Sequence, residues 1–90
     1  MIIFEGAQVG DKGDYLTGSG PSGQGDTTLI LSGSIGTSRV AIYATAEGLR
    51  RAQLGTLDAP GVKYIKIGAG VTLSFEVVGG INCSIDLVAI

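Results

Sequence analysis

The last 20 residues of the chain constrain its fold most, because apolar and polar side chains alternate there almost without interruption. Residues 71–77 read VTLSFEV and residues 81–89 read INCSIDLVA, with apolar side chains at the odd positions of both segments. A period of two places successive side chains on opposite faces of a strand. Each segment is therefore predicted to form a strand with one face on a core and the other in water.

These two strands are predicted to pair as an antiparallel hairpin. A two-residue loop at 79–80 would set apolar residues opposite polar ones along the whole hairpin. A three-residue loop at 78–80 keeps one face apolar, and such loops commonly hold glycine in the left-handed conformation. The predicted pairs are Val77 with Ile81, Phe75 with Cys83, and Leu73 with Ile85.

The composition limits what one domain of this size can bury. Hydrophobic residues make up 44% of the 90 residues, a further 16 residues are glycine, and only 16% are charged. Soluble domains typically carry about 25% charged residues, and a small domain buries only about 60% of its unfolded surface. The chain is therefore expected to bury apolar surface against other protein, in an oligomer or a larger assembly.

Membrane and nucleic-acid partners are not expected. No apolar stretch approaches the roughly 18 residues that a spanning helix needs, and Glu5 follows the start too closely for a signal peptide. The net charge of −2 and the lack of a basic tract argue against binding to nucleic acid.

Catalytic groups, metal ligands and cofactor motifs are absent from the sequence pattern. The chain has no histidine, which excludes imidazole chemistry. Cys83 is the only cysteine, so no intrachain disulfide can form, and its position predicts a small buried hydrophobic residue rather than a nucleophile. The predicted register keeps Glu76 and Asp86 apart, and the glycines match no phosphate-binding loop. We therefore expect no enzyme activity, no metal and no cofactor.

Residues 1–26 are predicted to form an N-terminal arm. Met1–Phe4 is a short apolar segment, and the glycines that recur through residues 6–26 make a regular core element costly to order. Two interpretations stay open for this region, an arm laid along a neighbouring subunit and a loosely restrained loop. In the first, Met1–Phe4 adds to a neighbour's sheet or fills an apolar groove, with residues 6–26 as the tether.

Residues 27–90 are predicted to form the folded body. Strands at 29–31 and 40–44 are expected to make a hairpin with a loop of about four residues. Residues 45–57 have two interpretations, a short helix or a turn at Glu47-Gly48 followed by a strand from Arg50 to Leu57. We favour the strand, because every neighbouring segment is β.

Another strand is predicted at 62–67, between a turn at 58–61 and the two C-terminal strands. This strand has apolar side chains on both faces, which predicts a central position in its sheet or an interface on its outer face. Short strands with frequent turns predict an all-β fold, a small antiparallel β-sandwich or jelly-roll-like barrel carrying the glycine-rich N-terminal arm.

The sequence pattern of three segments resembles that of small structural proteins of tailed phages. The segments are TLILSG at 28–33, RVAIY at 39–43 and the strands of 71–90. The resemblance spans about two thirds of the chain, residues 28–90. It implies a component of the virion, made in the host cytoplasm, such as a capsid decoration (cement) protein. The same resemblance also implies a neck or tail-fibre accessory domain.

The expected function is therefore non-enzymatic decoration or cementing of a phage capsid through protein–protein contacts. The alternatives are a receptor- or glycan-binding module of a tail fibre or neck appendage, and an inhibitor or adaptor domain from a cell. A chain with no tryptophan and 3 tyrosines offers few rings for sugars to stack on. Expected partners are the major capsid protein or neighbouring copies in a homo-oligomer, with a trimer as one candidate. The candidate partner-binding residues are Met1, Ile2, Ile3, Phe4, Tyr64, Val78, Val88 and Ile90.

Overall fold

The computed structural model describes residues 1–18, 25–80 and 82–90, and within them it contains eight strands and no helix. The predicted all-β class is confirmed. In chain order the strands are β1 (Ile2–Ala7), β2 (Lys12–Leu16), β3 (Thr27–Ser34), β4 (Arg39–Thr45), β5 (Ala52–Leu57), β6 (Gly61–Ile65), β7 (Thr72–Val78) and β8 (Ser84–Ala89).

The strands form two four-stranded antiparallel sheets that pack face to face. Sheet I has the order β1-β8-β3-β6, and sheet II has the order β2-β7-β4-β5. The first strand pairs with the last, the second with the seventh, the third with the sixth and the fourth with the fifth. This nested pairing across two sheets of four strands is the connectivity of a jelly roll.

The core lies between the two sheets and is built by the alternation seen in the sequence. In β7 and β8 the odd positions face inward, and the even positions face outward and are more exposed. Cys83 is buried beside these strands, as predicted. The largest fully buried side chains are Phe75, Leu29, Ile42, Leu73, Ile85, Leu87, Val40 and Val77.

The predicted C-terminal hairpin is wrong, although both of its strands exist. β7 belongs to sheet II and pairs with β2 and β4, whereas β8 belongs to sheet I and pairs with β1 and β3. Phe75 therefore lies opposite Gly13 and Ile42 rather than Cys83. Alternation specifies which face of a strand is buried, and it gives the same pattern whether the next strand is in the same sheet or across the core. Ile81, a member of the predicted register, lies outside the described residues.

A second predicted hairpin is corrected for the same reason, and the prediction for 62–67 is narrowed. The strands at 29–31 and 40–44 do not form a hairpin, because β3 lies in sheet I and β4 in sheet II. β6 is an edge strand, so of the two positions predicted for 62–67 the central one is excluded and an interface on its outer face stays a prediction. For residues 45–57 the strand interpretation is confirmed, since Glu47 and Gly48 form a turn that leads into β5.

The N-terminal arm is not a separate element in the part of residues 1–26 that the structure describes. β1 pairs with β8 of its own chain and β2 pairs with β7, so both are strands of the sandwich. Their buried side chains are Phe4, Ala7 and Tyr15, and Thr17 is buried directly after β2. Residues 19–24 of the predicted arm lie outside the described residues.

The prediction of an arm from the glycine density is wrong because these glycines allow backbone conformations and close contacts that the two strands require. Gly6 and Gly10 have positive φ values of 67° and 96°. Gly6 lies where the pairing of β1 with β8 shifts register, and Gly10 lies in the turn before β2. At Gly13 an added Cβ would lie 2.8 Å from a methyl carbon of Ile3. The glycines thus permit a bulge, a turn and a close approach of β2 to β1, which fixes these strands in place.

Candidate functional site

A row of apolar side chains crosses the outer face of sheet I from one edge to the other. Ile2 on β1 lies opposite Val88 on β8, Val88 lies opposite Ile30 on β3, and Ile30 lies opposite Val62 on β6. Ile2 is 61% exposed and Val62 is 55% exposed, while Ile30 and Val88 are covered more by their neighbours. Each of the four strands therefore contributes one apolar side chain to the same outward-facing row.

A second row lies next to the first and extends the apolar surface. Thr28 exchanges two backbone hydrogen bonds of 2.9 Å with Ile90 and lies opposite Tyr64 on its other side. Tyr64 is 75% exposed and Ile90 is 67% exposed. We call the outward apolar side chains of the two rows the apolar face. Its members are Ile2, Ile30, Val62, Tyr64, Val88 and Ile90.

The apolar face is bounded by polar residues on the same side of sheet I. Asp86 on β8 lies opposite Ser32 on β3, one row beyond Val88 and Ile30. The Asp86 carboxylate accepts a 2.8 Å hydrogen bond from the backbone N–H of Gly6. An apolar centre with a hydrated polar margin is the usual anatomy of a protein–protein interface.

The outer face of sheet II has a different chemistry. Lys12 lies opposite Glu76 on this face, and Asp14 lies opposite Ser74. The Arg51 guanidinium sits 3.9 Å from the centroid of the Tyr43 ring. A shallow depression of about 190 Å³ is lined by charged and polar side chains of this kind. Charges of both signs in contact with water are typical of a solvated surface, so this part of sheet II contrasts with the apolar face of sheet I.

The structure brings together four of the predicted partner-binding residues, which are Ile2, Tyr64, Val88 and Ile90. Met1 lies beside them, 68% exposed, with its amino group donating a 2.6 Å hydrogen bond to the carbonyl oxygen of Ala89. The role of these residues in binding a partner stays a prediction.

Three predicted residues lie elsewhere. Phe4 is 5% exposed and belongs to the core, so it is not accessible to a partner. Ile3 packs against the core from the register shift in β1, where it also approaches Gly13. Val78 lies opposite Arg39 in sheet II and takes no part in the apolar face.

Ile30 and Val62 belong to the apolar face but are not among the partner-binding residues predicted from the sequence. Ile30 stands between Leu29 and Leu31, and an unbroken apolar run does not show which member faces outward. Val62 shares the parity of Tyr64, which was selected, so this alternation could have identified it.

Within residues 1–18, 25–80 and 82–90, no three His, Cys, Asp or Glu side chains are grouped so that they could hold a metal ion. Comparisons of the chain with known protein families, with curated proteins and with solved structures found no match.

Proposed function

We propose that this chain is a non-enzymatic structural protein of a virion that decorates or cements a phage capsid by binding other virion proteins. The observation that carries the proposal is the apolar row that crosses all four strands of sheet I. Contiguous exposed apolar surface on a soluble domain marks an interaction site more often than a solvated surface. The contacts that a structural protein needs are of this kind.

The dimensions of the sandwich suit an interface of ordinary size. Its two longer extents are 35 and 26 Å, so one outer face has a footprint of about 900 Å². Stable protein–protein interfaces bury about 800 Å² on each partner. One face of sheet I, with its apolar half and its polar margin, is therefore large enough to hold the chain on a protein lattice.

The fold is compatible with this function, but the same fold also occurs in proteins with other functions. Jelly rolls occur in viral capsid proteins, and they also occur in lectins and cupins, so the connectivity alone does not assign a role. The glycan-binding alternative needs accessible aromatic rings. Tyr15 is buried, Tyr43 is stacked against Arg51, and Tyr64 is the one tyrosine on the apolar face, where it lies opposite Thr28. These surroundings favour a protein partner.

The proposed partners are the major capsid protein or neighbouring copies of this chain, and the proposed location is the surface of the virion. Covering Val62 and Ile2 at opposite edges of sheet I requires a broad surface, which a capsid lattice provides. Each of these side chains is more than half exposed in the isolated chain. Burial of a valine or isoleucine side chain contributes about 1.5–3 kcal/mol before ordering costs.

The proposal is tested first by mass spectrometry of purified particles of the phage whose genome encodes the chain. The chain is expected among the particle proteins, at a copy number comparable with that of a capsid component. Its absence from intact, infectious particles would overturn the proposal.

Binding to particles then tests the apolar face with a matched pair of variants. Val88→Lys places a charge in the middle of the apolar row, whereas Val78→Lys places the same charge on the outer face of sheet II, and both valines are half-buried at the end of a strand. In pull-down with particles stripped of this chain, Val88→Lys is expected to bind at least tenfold more weakly than the parent chain. Val78→Lys is expected to bind as the parent does, and equal binding by both variants would rule out the apolar face.

A further inference from the structure

Within the residues that the structure describes, the sandwich has four edge strands, and three of them carry charged side chains that hinder the addition of another strand. These edges are β1 and β6 in sheet I, and β2 and β5 in sheet II. β1 carries Glu5 and two register shifts, β2 carries Lys12 and Asp14, and β6 carries Lys63 and follows Pro60. Bulges, charges and proline are the usual protection of sheet edges.

β5 differs from the other three edges. Its sequence AQLGTL has no charged residue and no proline, and Leu54 in its middle is 43% exposed. One register shift lies between the pairs that Ile42 and Tyr43 make with it. β5 is therefore the edge on which a further strand meets the least electrostatic opposition.

The charges that flank β5 are arranged for pairing with a second copy. Arg50 and Arg51 precede the strand, and Asp58 follows it. If two β5 strands pair antiparallel about an axis between Leu54 and Gly55, Arg51 of each copy lies opposite Asp58 of the other. A two-fold axis makes this contact twice, and opposite charges on directly paired residues favour the register.

This register also pairs residues whose side chains point to the same face of the sheet. Residues that lie directly opposite in an antiparallel pair point to the same face of the sheet. Gln53 lies opposite Tyr43 and Thr56 lies opposite Ala41, so both point to the outer face, and this register pairs them with each other. In a regular strand, residues three apart face opposite ways. The register shift at Leu54 removes that conflict.

The inner positions agree as well. Ala52 lies opposite Ala44, and Leu57 lies opposite Val40, so both point toward the core side of sheet II. The proposed register pairs Ala52 of one copy with Leu57 of the other. Arg51 is already held on the outer face by its stacking on Tyr43, 3.9 Å from the ring centroid.

We propose that two copies of this chain join β5 to β5 about a two-fold axis and form one continuous eight-stranded sheet. Arg51 of each copy pairs with Asp58 of the other. The assembly is then a dimer, in place of the trimer considered from the sequence. The pairing goes beyond the proposed function and does not depend on it, since β5 lies at the edge of sheet II and the apolar face lies on sheet I.

Sedimentation velocity of the full chain tests this pairing by charge reversal. The parent chain is expected to be a dimer, and Asp58→Arg is expected to weaken dimerisation at least tenfold by placing two arginines opposite each other. Arg51→Asp is expected to do the same with two acids. The double variant Arg51→Asp with Asp58→Arg restores opposite charges and is expected to recover the dimer, which a fold defect in either single variant would not allow.

Glu5→Arg is the matched control, because it reverses an exposed acid on β1 of the other sheet and is expected to leave the dimer intact. A parent chain that is monomeric would overturn the pairing, and so would a double variant that stays as weak as the singles. A dimer that survives charge reversal but dissociates in Val88→Lys would show that copies meet through the apolar face instead. None of these outcomes decides whether the chain is found in particles, so the two proposals fail separately.

Discussion

Phe4 on β1 lies directly opposite Leu87 on β8, and the two side chains are 5% and 0% exposed. Beyond a register shift in β1, Ala7 lies opposite Ile85. The first and last strands of the chain therefore close sheet I together and share the core. This pairing makes the N-terminal segment part of the sandwich, so its removal should affect folding rather than assembly alone.

Phe4→Ala is expected to lower the free energy of unfolding by about 3–5 kcal/mol, because it removes a buried ring and leaves a cavity against β8. A domain of this length has a total stability of only about 5–13 kcal/mol. Ile2→Ala on the same strand is the control and is expected to change stability by no more than about 0.5 kcal/mol, since Ile2 is 61% exposed. Urea denaturation followed by circular dichroism measures both. Equally small effects of the two variants on the free energy of unfolding would contradict a contribution of β1 to the stability of the core.

The alternation in the last two strands predicted the buried side chains of β7 and β8 but not their partners. Leu73, Phe75, Ile85 and Leu87 are buried as expected. The pairing was wrong because residues that face one core from two sheets have the same period as residues that share one sheet. Choosing between these arrangements requires contacts between segments that are distant in sequence, such as β1 with β8.

The apolar face illustrates the same limit. Tyr64, Val88 and Ile90 could be selected singly from their positions, but only the order β8-β3-β6 brings them onto one surface. The gap between β8 and β6 is filled by Ile30 on β3, whose outward direction is hidden in the sequence by buried leucines on both sides. A continuous surface built from four strands is a property of the topology, which local pattern does not encode.

A pair of glycine variants separates steric overlap from backbone conformation. Gly33 and Gly36 both have positive φ, 98° and 57°. An added Cβ at Gly33 would overlap the carbonyl oxygen of Ser84 on the neighbouring strand, whereas a Cβ at Gly36 meets nothing within 4 Å. Gly36→Ala is expected to cost about 1–2 kcal/mol from its backbone conformation alone. Gly33→Ala is expected to cost at least about 1 kcal/mol more. Thermal unfolding of the two variants checks the order, and a reversed order would contradict it.

The hydroxyl of Thr17 ties the end of β2 to the segment before β7. Thr17 is 2% exposed, donates a 2.8 Å hydrogen bond to the carbonyl oxygen of Gly68 and accepts a 2.9 Å bond from the N–H of Val71. Thr17→Val keeps the shape but removes both bonds, and it is expected to destabilise the fold by about 1–3 kcal/mol. Thr17→Ser keeps the hydroxyl and should cost less. Hydrogen exchange of the Val71 amide offers a local measurement, expected to speed up in Thr17→Val and to change little in Thr17→Ser.

The turn between β4 and β5 carries a residue that is poorly suited to its conformation. Glu47 and Gly48 both have positive φ, 56° and 71°, and the N–H of Leu49 donates a 3.1 Å hydrogen bond to the carbonyl oxygen of Ala46. Positive φ at both central residues with this hydrogen bond is the geometry of a type I′ turn, which favours Asn-Gly. Glu47→Asn is therefore expected to raise the free energy of unfolding by about 0.5–1 kcal/mol, because asparagine tolerates the left-handed region better than glutamate. Gly48→Ala is the opposing control and is expected to lower it.

The same turn fixes where β5 lies against β4, so it also bears on the proposed dimer. Glu47→Asn strengthens the native turn without touching Arg51, Asp58 or the free edge of β5. Its dimerisation is therefore expected to match that of the parent chain while its unfolding midpoint in urea rises. A variant that is more stable but no longer dimeric would mean that the turn itself contacts the second copy, because the backbone of β5 would be unchanged. A variant that is less stable would mean that Glu47 makes a contact worth more than the conformational strain it carries.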